Sequence, residues 1–119
     1  MPHVVLLEDD PLVRTLLTHR MLRNGWRVSA LADARGLHAL LEAGLPDLIV
    51  VDIGLPHLDG LAVVEDLRAR GLTVPVLVLT AYEQPHLIAA VRSAGADDLV
   101  QKPCDNELLL ERMQRLMAA

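Results

Sequence analysis

Residues 48–54 read Leu48-Ile49-Val50-Val51-Asp52-Ile53-Gly54. Four apolar residues, three of them β-branched, run without interruption and stop at an acid. A strand with one wet face would alternate apolar with polar, whereas an unbroken run fits a strand buried on both faces. Such strands sit in parallel sheets with helices above and below. The run recurs at Val4-Val5-Leu6-Leu7 and at Val74-Pro75-Val76-Leu77-Val78-Leu79. Pro75 lies near the start of its run, where a missing N–H is tolerated. Weaker runs occur at Val28-Ser29-Ala30-Leu31 and Asp98-Leu99-Val100.

The intervening segments carry helix punctuation. Asp10-Pro11 offers an N-cap followed by proline at the first helical position, and Asp33, Asp59 and Asp105 are further N-cap candidates. Pro85 is placed to open a fourth helix, in which Leu87, Ile88, Val91 and Ala94 fall at helical spacing. Gly25, Gly44, Gly71 and Gly95 each follow a periodic stretch, where a left-handed residue commonly ends a helix. Trp26 is read as a packing residue where the first helix turns into the second strand. Strand and helix thus alternate five times. The expected fold is α/β, a doubly wound (βα)5 unit with a five-stranded parallel sheet of order 2-1-3-4-5 and helices on both faces. Residues 1–119 are expected to form a single domain.

Composition narrows the function. Cys104 is the only cysteine, so a disulfide framework and a cysteine-based zinc cluster are excluded. Together with the lack of a signal-peptide pattern in MPHVVLLEDD, this points to the cytoplasm. A net charge of −5 with no basic stripe argues against direct nucleic-acid contact. No apolar run approaches the roughly 18 residues of a membrane span. The five histidines are scattered without metal-ligand spacing, so packing or solvated roles are expected for them.

In open parallel sheets, ligands bind beyond the carboxyl ends of the strands. The polar residues found there are Glu8-Asp9-Asp10, Asp52, Thr80 and Gln101-Lys102-Pro103. Glu8, Asp9 and Asp52 would bring three carboxylates to one place. Two such charges 4 Å apart repel by about 4 kcal/mol at an effective dielectric near 20. Protonation or a cation must offset this. A hard Mg²⁺, holding one or two carboxylates and keeping waters for phosphate oxygens to displace, meets the need. With an ammonium from Lys102 and a hydroxyl from Thr80, these are the parts that stabilise a transferring phosphoryl group, with Asp52 as nucleophile.

Glu8-Asp9, Asp52 in VVDIGLPHLDG, Thr80-Ala81, and GADDLVQKP ending in Lys102-Pro103 together resemble the receiver domain of two-component response regulators. Each fragment alone is common; the four in order, each at a strand end, are specific, and the resemblance covers the whole chain. It implies a phosphorylation-activated signalling switch rather than an enzyme with a separate substrate. Asp52 would accept a phosphoryl group from a sensor histidine kinase or phosphotransfer protein. Glu8, Asp9, Asp52 and the Gly54 carbonyl would hold Mg²⁺, while Thr80 and Lys102 would contact the phosphoryl oxygens. The Lys102-Pro103 bond is usually cis in that family. Thr80 and the residue at position 99 form its switch. The surface of helix 4, strand 5 and helix 5 is where its winged-helix transcription-factor class forms homodimers, and Asp97, Asp98, Glu107 and Arg115 resemble that class's charge pattern, whereas Glu111 stands where that class typically has arginine, leaving the ion-pair set incomplete. An effector domain outside this chain would carry the output to transcription.

Several positions depart from the family pattern. Leu99 stands where an aromatic ring is common, which implies a muted switch. Cys104 stands where Phe is frequent and is read as a small hydrophobe. Gly54 and Tyr82 occupy positions flanking the path of the dephosphorylating water, and Tyr82 is expected to slow that reaction. The arginines Arg14, Arg20, Arg23, Arg68 and Arg70 are read as solvated faces, the first three being available to a kinase. Of the 11 Lys and Arg residues only Lys102 is lysine, consistent with a compact ammonium beside a phosphoacceptor, where an arginine fork would be bulkier. Three other functions fit the sequence less well. A haloacid-dehalogenase-type phosphatase needs a DxD pattern after the first strand, and that place holds Glu8-Asp9-Asp10. A non-phosphorylated interaction module would not need the intact acid set. A dinucleotide-binding domain needs G-x-G-x-x-G in the first turn.

Overall fold

The computed structural model describes residues 1–53, 59–80, 85–101 and 106–118. Its elements in chain order are β1 (His3–Leu7), α1 (Pro11–Arg23), β2 (Arg27–Leu31), a 3-10 turn (Ala34–Gly36), α2 (Leu37–Ala43), β3 (Leu48–Ile53), α3 (Asp59–Ala69), β4 (Val76–Thr80), α4 (Pro85–Ala94), β5 (Asp98–Gln101) and α5 (Asn106–Ala118). The strands form one sheet of order β2-β1-β3-β4-β5, with every neighbouring pair parallel.

The unbroken apolar runs follow from packing on both faces. Along β3, Leu48 and Val50 belong to one core with Met21 of α1 and Leu109 and Met113 of α5. Ile49, Val51 and Ile53 belong to the other core, with Leu37 and Leu41 of α2, Val64 and Leu67 of α3, and Val91 and Ala94 of α4. Each such side chain contributes roughly 1.5–3 kcal/mol when removed from water. Trp26 is buried in the α1/α5 core, as its position after α1 predicted.

The caps agree with the sequence at most places. Asp10 accepts hydrogen bonds from the Leu12 and Val13 amides, and α4 opens at Pro85. Gly25, Gly71 and Gly95 have positive φ. Two expectations need correction. Gly44 ends α2 with φ 161° and ψ 136°, an extended rather than left-handed residue. Extended backbone of this kind is open to any residue, so Gly44 does not use a glycine's access to positive φ. Asp33 caps the 3-10 turn through the Arg35 amide, while α2 begins four residues later behind Gly36 with no side-chain cap.

Gly60, in the first turn of α3, is set by contact. A Cβ there would lie 2.8 Å from Ile53 Cγ1 and 3.2 Å from Val51 Cγ1. The helix that follows Asp52 is therefore seated directly on β3. Alanine in place of glycine ordinarily gains about 1 kcal/mol in a helix. Here Gly60→Ala is expected to lose about 1–3 kcal/mol through overpacking. The sign, read from urea denaturation, is diagnostic: a gain would mean that α3 separates from β3 without cost.

At the opposite edge, the His3 Nε2–H donates to Ser29 Oγ at 2.7 Å and Nδ1 accepts from Arg27 Nη2 at 3.2 Å. Arg27 can only donate, which fixes this tautomer. Burial, and secondarily the Arg27 charge, hold the His3 pKa below 6.5, against an opposing pull from Asp47. The unfolded chain thus binds more protons just below that pH, so stability must fall as pH drops from about 7 through the lowered value. His3→Gln should flatten this part of the stability–pH curve. An unchanged slope would assign it to other groups.

Candidate functional site

The last β1–β3 pair is Leu7 with Val51, so Glu8 and Asp52 are the next residues of neighbouring central strands. Asp52 pairs with Leu79 and Ile53 with Thr80, which puts Thr80 one step further out on the adjoining strand. Thr80 in turn pairs with Gln101, the residue before Lys102. The register therefore gathers at one sheet edge the acids and hydroxyl that the sequence distributes over 73 positions, from Glu8 to Thr80. Glu8 is 4% exposed and Thr80 0%. Glu8, Asp9 and Asp52 border one cavity of about 670 Å³, whose walls also include Asp33, His38 and Asp66.

The acidic turn is held by several bonds. The Glu8 amide donates to Leu31 O of β2 at 3.0 Å. The Asp10 amide donates to Glu8 Oε1 at 3.0 Å. Asp10 itself caps α1, accepting from Leu12 N at 2.8 Å and Val13 N at 3.2 Å. Asp10 thus caps the helix as expected, while Glu8 and Asp9 line the cavity. On the cavity's outer wall, hydrogen bonds from the Arg35 side chain and then its amide hold the Asp33 carboxyl below its usual range. His38 Nε2 lies 3.1 Å from Asp66 Oδ2 and joins α2 to α3.

Leu99 is paired with Val78 and packs against the core beneath α4, the face that Val78 also serves. Thr80, two residues beyond Val78, shares that face by strand alternation. Thr80 and Leu99, the positions expected to form a switch, therefore lie on the same face of adjoining strands. Gly54, Tyr82, Lys102, Pro103, Cys104 and Asp105 lie outside the described residues.

The donor set around Glu8, Asp9 and Asp52 is all oxygen, which suits a hard cation. Among the described residues no three acid, histidine or cysteine side chains close into a metal-holding group. The fit to Mg²⁺ rests on the donor chemistry alone, oxygen ligands of the kind a hard cation takes.

Two arginines read from sequence as solvated are not. Arg14 Nη1 donates to the Glu8 carbonyl at 2.9 Å. Arg68, 23% exposed, donates to the carbonyls of Gly95, Leu72 and Val74 and to Asp97 Oδ2. Arg112, which the sequence reading passed over, holds Asp98 at 2.9 and 3.0 Å. The available signals were position: Arg14 stands one turn after a capping acid, and Arg112 on the helix that follows β5.

No helix among the described residues is long and apolar enough to cross a membrane. A family model described as the response regulator receiver domain matches residues 4–114. The chain is 42% identical over 117 residues to the virulence transcriptional regulatory protein PhoP of Salmonella typhimurium strain LT2, covering 98% of this chain and 52% of that protein. It is 40% identical over 114 residues to the transcriptional regulatory protein PhoP of Escherichia coli O6:H1, covering 96% and 51%. The chain thus spans about half the length of these curated relatives. Among solved structures, the receiver domain of the TMAO respiratory response regulator TorR matches with a TM-score of 0.89 at 31% identity, covering 99% of this chain and 98% of that one. The BeF3-activated receiver domain of Klebsiella pneumoniae RstA gives 0.89 at 26% identity, covering 98% and 99%. With the sheet order and the strand-end acids, these matches show that the chain belongs to the family of response regulator receiver domains.

Proposed function

We propose that the chain is a phosphorylation-driven switch that takes a phosphoryl group onto Asp52. The observation that carries this reading is the register that brings Glu8, Asp52 and the fully buried Thr80 to adjacent strand ends. An Asp52 carboxylate oxygen attacks the phosphorus of a phospho-histidine on a sensor kinase or phosphotransfer protein. The P–N bond breaks, the nitrogen keeps the electron pair, and it takes a proton from solvent to leave neutral imidazole. Glu8, Asp9, Asp52 and the Gly54 carbonyl would hold Mg²⁺, which would neutralise charge on the transferring oxygens. Lys102 would supply a point charge to the phosphoryl group, and Thr80 would donate its hydroxyl to a phosphoryl oxygen.

The product adds close to two negative charges at the sheet edge. Thr80 follows that charge, and Leu99 beneath α4 moves with it, altering the α4–β5–α5 surface. A homodimer through that surface and an effector domain outside this chain would carry the signal to transcription, the role printed in the names of the PhoP relatives. The protein acts on itself only, accepting the group and slowly hydrolysing it, with Gly54 and Tyr82 setting the rate. Its setting is the cytoplasm, without direct nucleic-acid or membrane contact by residues 1–119.

The test uses phosphoramidate with Mg²⁺ and intact-protein mass. The expected result is a gain of one phosphoryl mass that hydroxylamine removes, as an acyl phosphate requires. No gain, or a hydroxylamine-stable one, would overturn the reading.

A further inference from the structure

We infer that Arg14 is a positioning residue for the cation-binding acids: by gripping the Glu8 carbonyl from α1, it sets the direction in which Asp9 leaves the sheet edge. This rests on the reading of Glu8 and Asp9 as Mg²⁺ ligands. The peptide joining Glu8 to Asp9 is planar, so fixing its carbonyl fixes where the Asp9 Cα lies. Arg14 Nη1 holds that carbonyl at 2.9 Å in a half-buried setting. Just beyond the last β1–β3 pair, the carbonyl is a polar group that must find a donor outside the ladder.

The grip is one half of a clamp. Asp10 ties the start of α1 to the Glu8 side chain, through its amide on Glu8 Oε1, and to the helix, through the Leu12 and Val13 amides. Arg14, one turn further along the same helix, ties that helix to the Glu8 main chain. The turn between Glu8 and Asp10 is thus held against α1 at both backbone and side chain. It needs holding, because Glu8, Asp9 and Asp52 border one cavity and repel one another. A guanidinium also brings a permanent positive charge to the turn without entering the cation's place. Groups that orient metal ligands in this way commonly cost 10–100-fold in affinity when removed.

The experiment titrates Mg²⁺ alone, followed by amide chemical shifts of residues 8–10, on wild type, Arg14→Met and Arg14→Lys. Methionine keeps an unbranched apolar stem and good helix propensity, so the fold is retained. Arg14→Met is expected to bind Mg²⁺ about tenfold more weakly, while Arg14→Lys, which can still donate one charged bond, recovers most of the loss. Melting in EDTA should change by no more than about 3 °C for either variant. Wild-type affinity in Arg14→Met would overturn the inference. So would equal losses in both variants accompanied by a large drop in metal-free melting, which would assign Arg14 to the fold alone. If the wild type itself fails to bind Mg²⁺, the reading of Glu8 and Asp9 as ligands falls as well, so the two failures are distinguishable.

Discussion

Asp52→Asn is expected to gain no phosphoryl group from phosphoramidate and to melt above the wild type in EDTA. The first half follows from chemistry. An amide oxygen is a poor nucleophile and cannot yield an acyl phosphate, while asparagine matches aspartate in shape. The second half follows from electrostatics. Asp52 shares a cavity wall with Glu8 and Asp9, and Glu8 is 4% exposed. Solvent in the cavity and neighbouring groups reduce the repulsion well below the contact value of about 4 kcal/mol. A gain of about 1 kcal/mol remains, or roughly 2–4 °C in melting temperature. Mg²⁺ should reverse the order, because a ligand stabilises the form that binds it better. Retention of the phosphoryl mass in Asp52→Asn would move the nucleophile to Glu8 or Asp9. A lower melting temperature in EDTA would show that the acids are not in net repulsion.

The sheet was legible because β1, β3 and β4 are packed on both faces, and nothing but unbroken apolar runs satisfies that. The acids were legible because parallel strands all end at the same edge, so Glu8 and Asp52 could be brought together without knowing a distance. The cap at Gly44 was misread because a glycine after a helix signals access to positive φ, and the sequence does not say whether that access is used. Arg14 and Arg68 were misread for a different reason. A long side chain's partners lie where the tertiary fold puts acceptors, and the Gly95 carbonyl and the Asp97 carboxylate are far from Arg68 in sequence. The same limit hid the pairing of Arg112 with Asp98. Two of the three acids of the α4–β5–α5 charge pattern are already engaged within the chain, Asp97 by Arg68 and Asp98 by Arg112. A dimer through that face must therefore share or exchange these partners.

Arg68→Met is expected to destabilise the fold by about 2–4 kcal/mol. Arg68 Nε donates to Gly95 O, Nη1 to Leu72 O and Val74 O, and Nη2 to Asp97 Oδ2, each at 2.9 Å. The ion pair alone accounts for little, since Asp97 is 44% exposed and surface pairs contribute about 0–1 kcal/mol. The larger part is the three carbonyls, because bonds from a charged donor are worth about 1.5–3 kcal/mol each before discounting for access to water. The bracket joins the end of α3, the entry to β4 and the end of α4. Asp97 Oδ2 extends it by accepting from Val76 N at 2.8 Å. Gly95 leaves room for it: a Cβ there would fall 2.6 Å from Arg68 Cγ. The C-terminal end of α4 is therefore pinned to α3 at the sheet edge opposite Thr80, so any motion of α4 driven from Thr80 must swing about that end. Arg68→Met should lower the urea midpoint and speed amide exchange in the last turn of α4. Arg68→Lys should recover only a minor part, because an ammonium cannot span four oxygens with a planar fork. A loss below about 1 kcal/mol, or full rescue by lysine, would reduce the bracket to an ordinary surface ion pair.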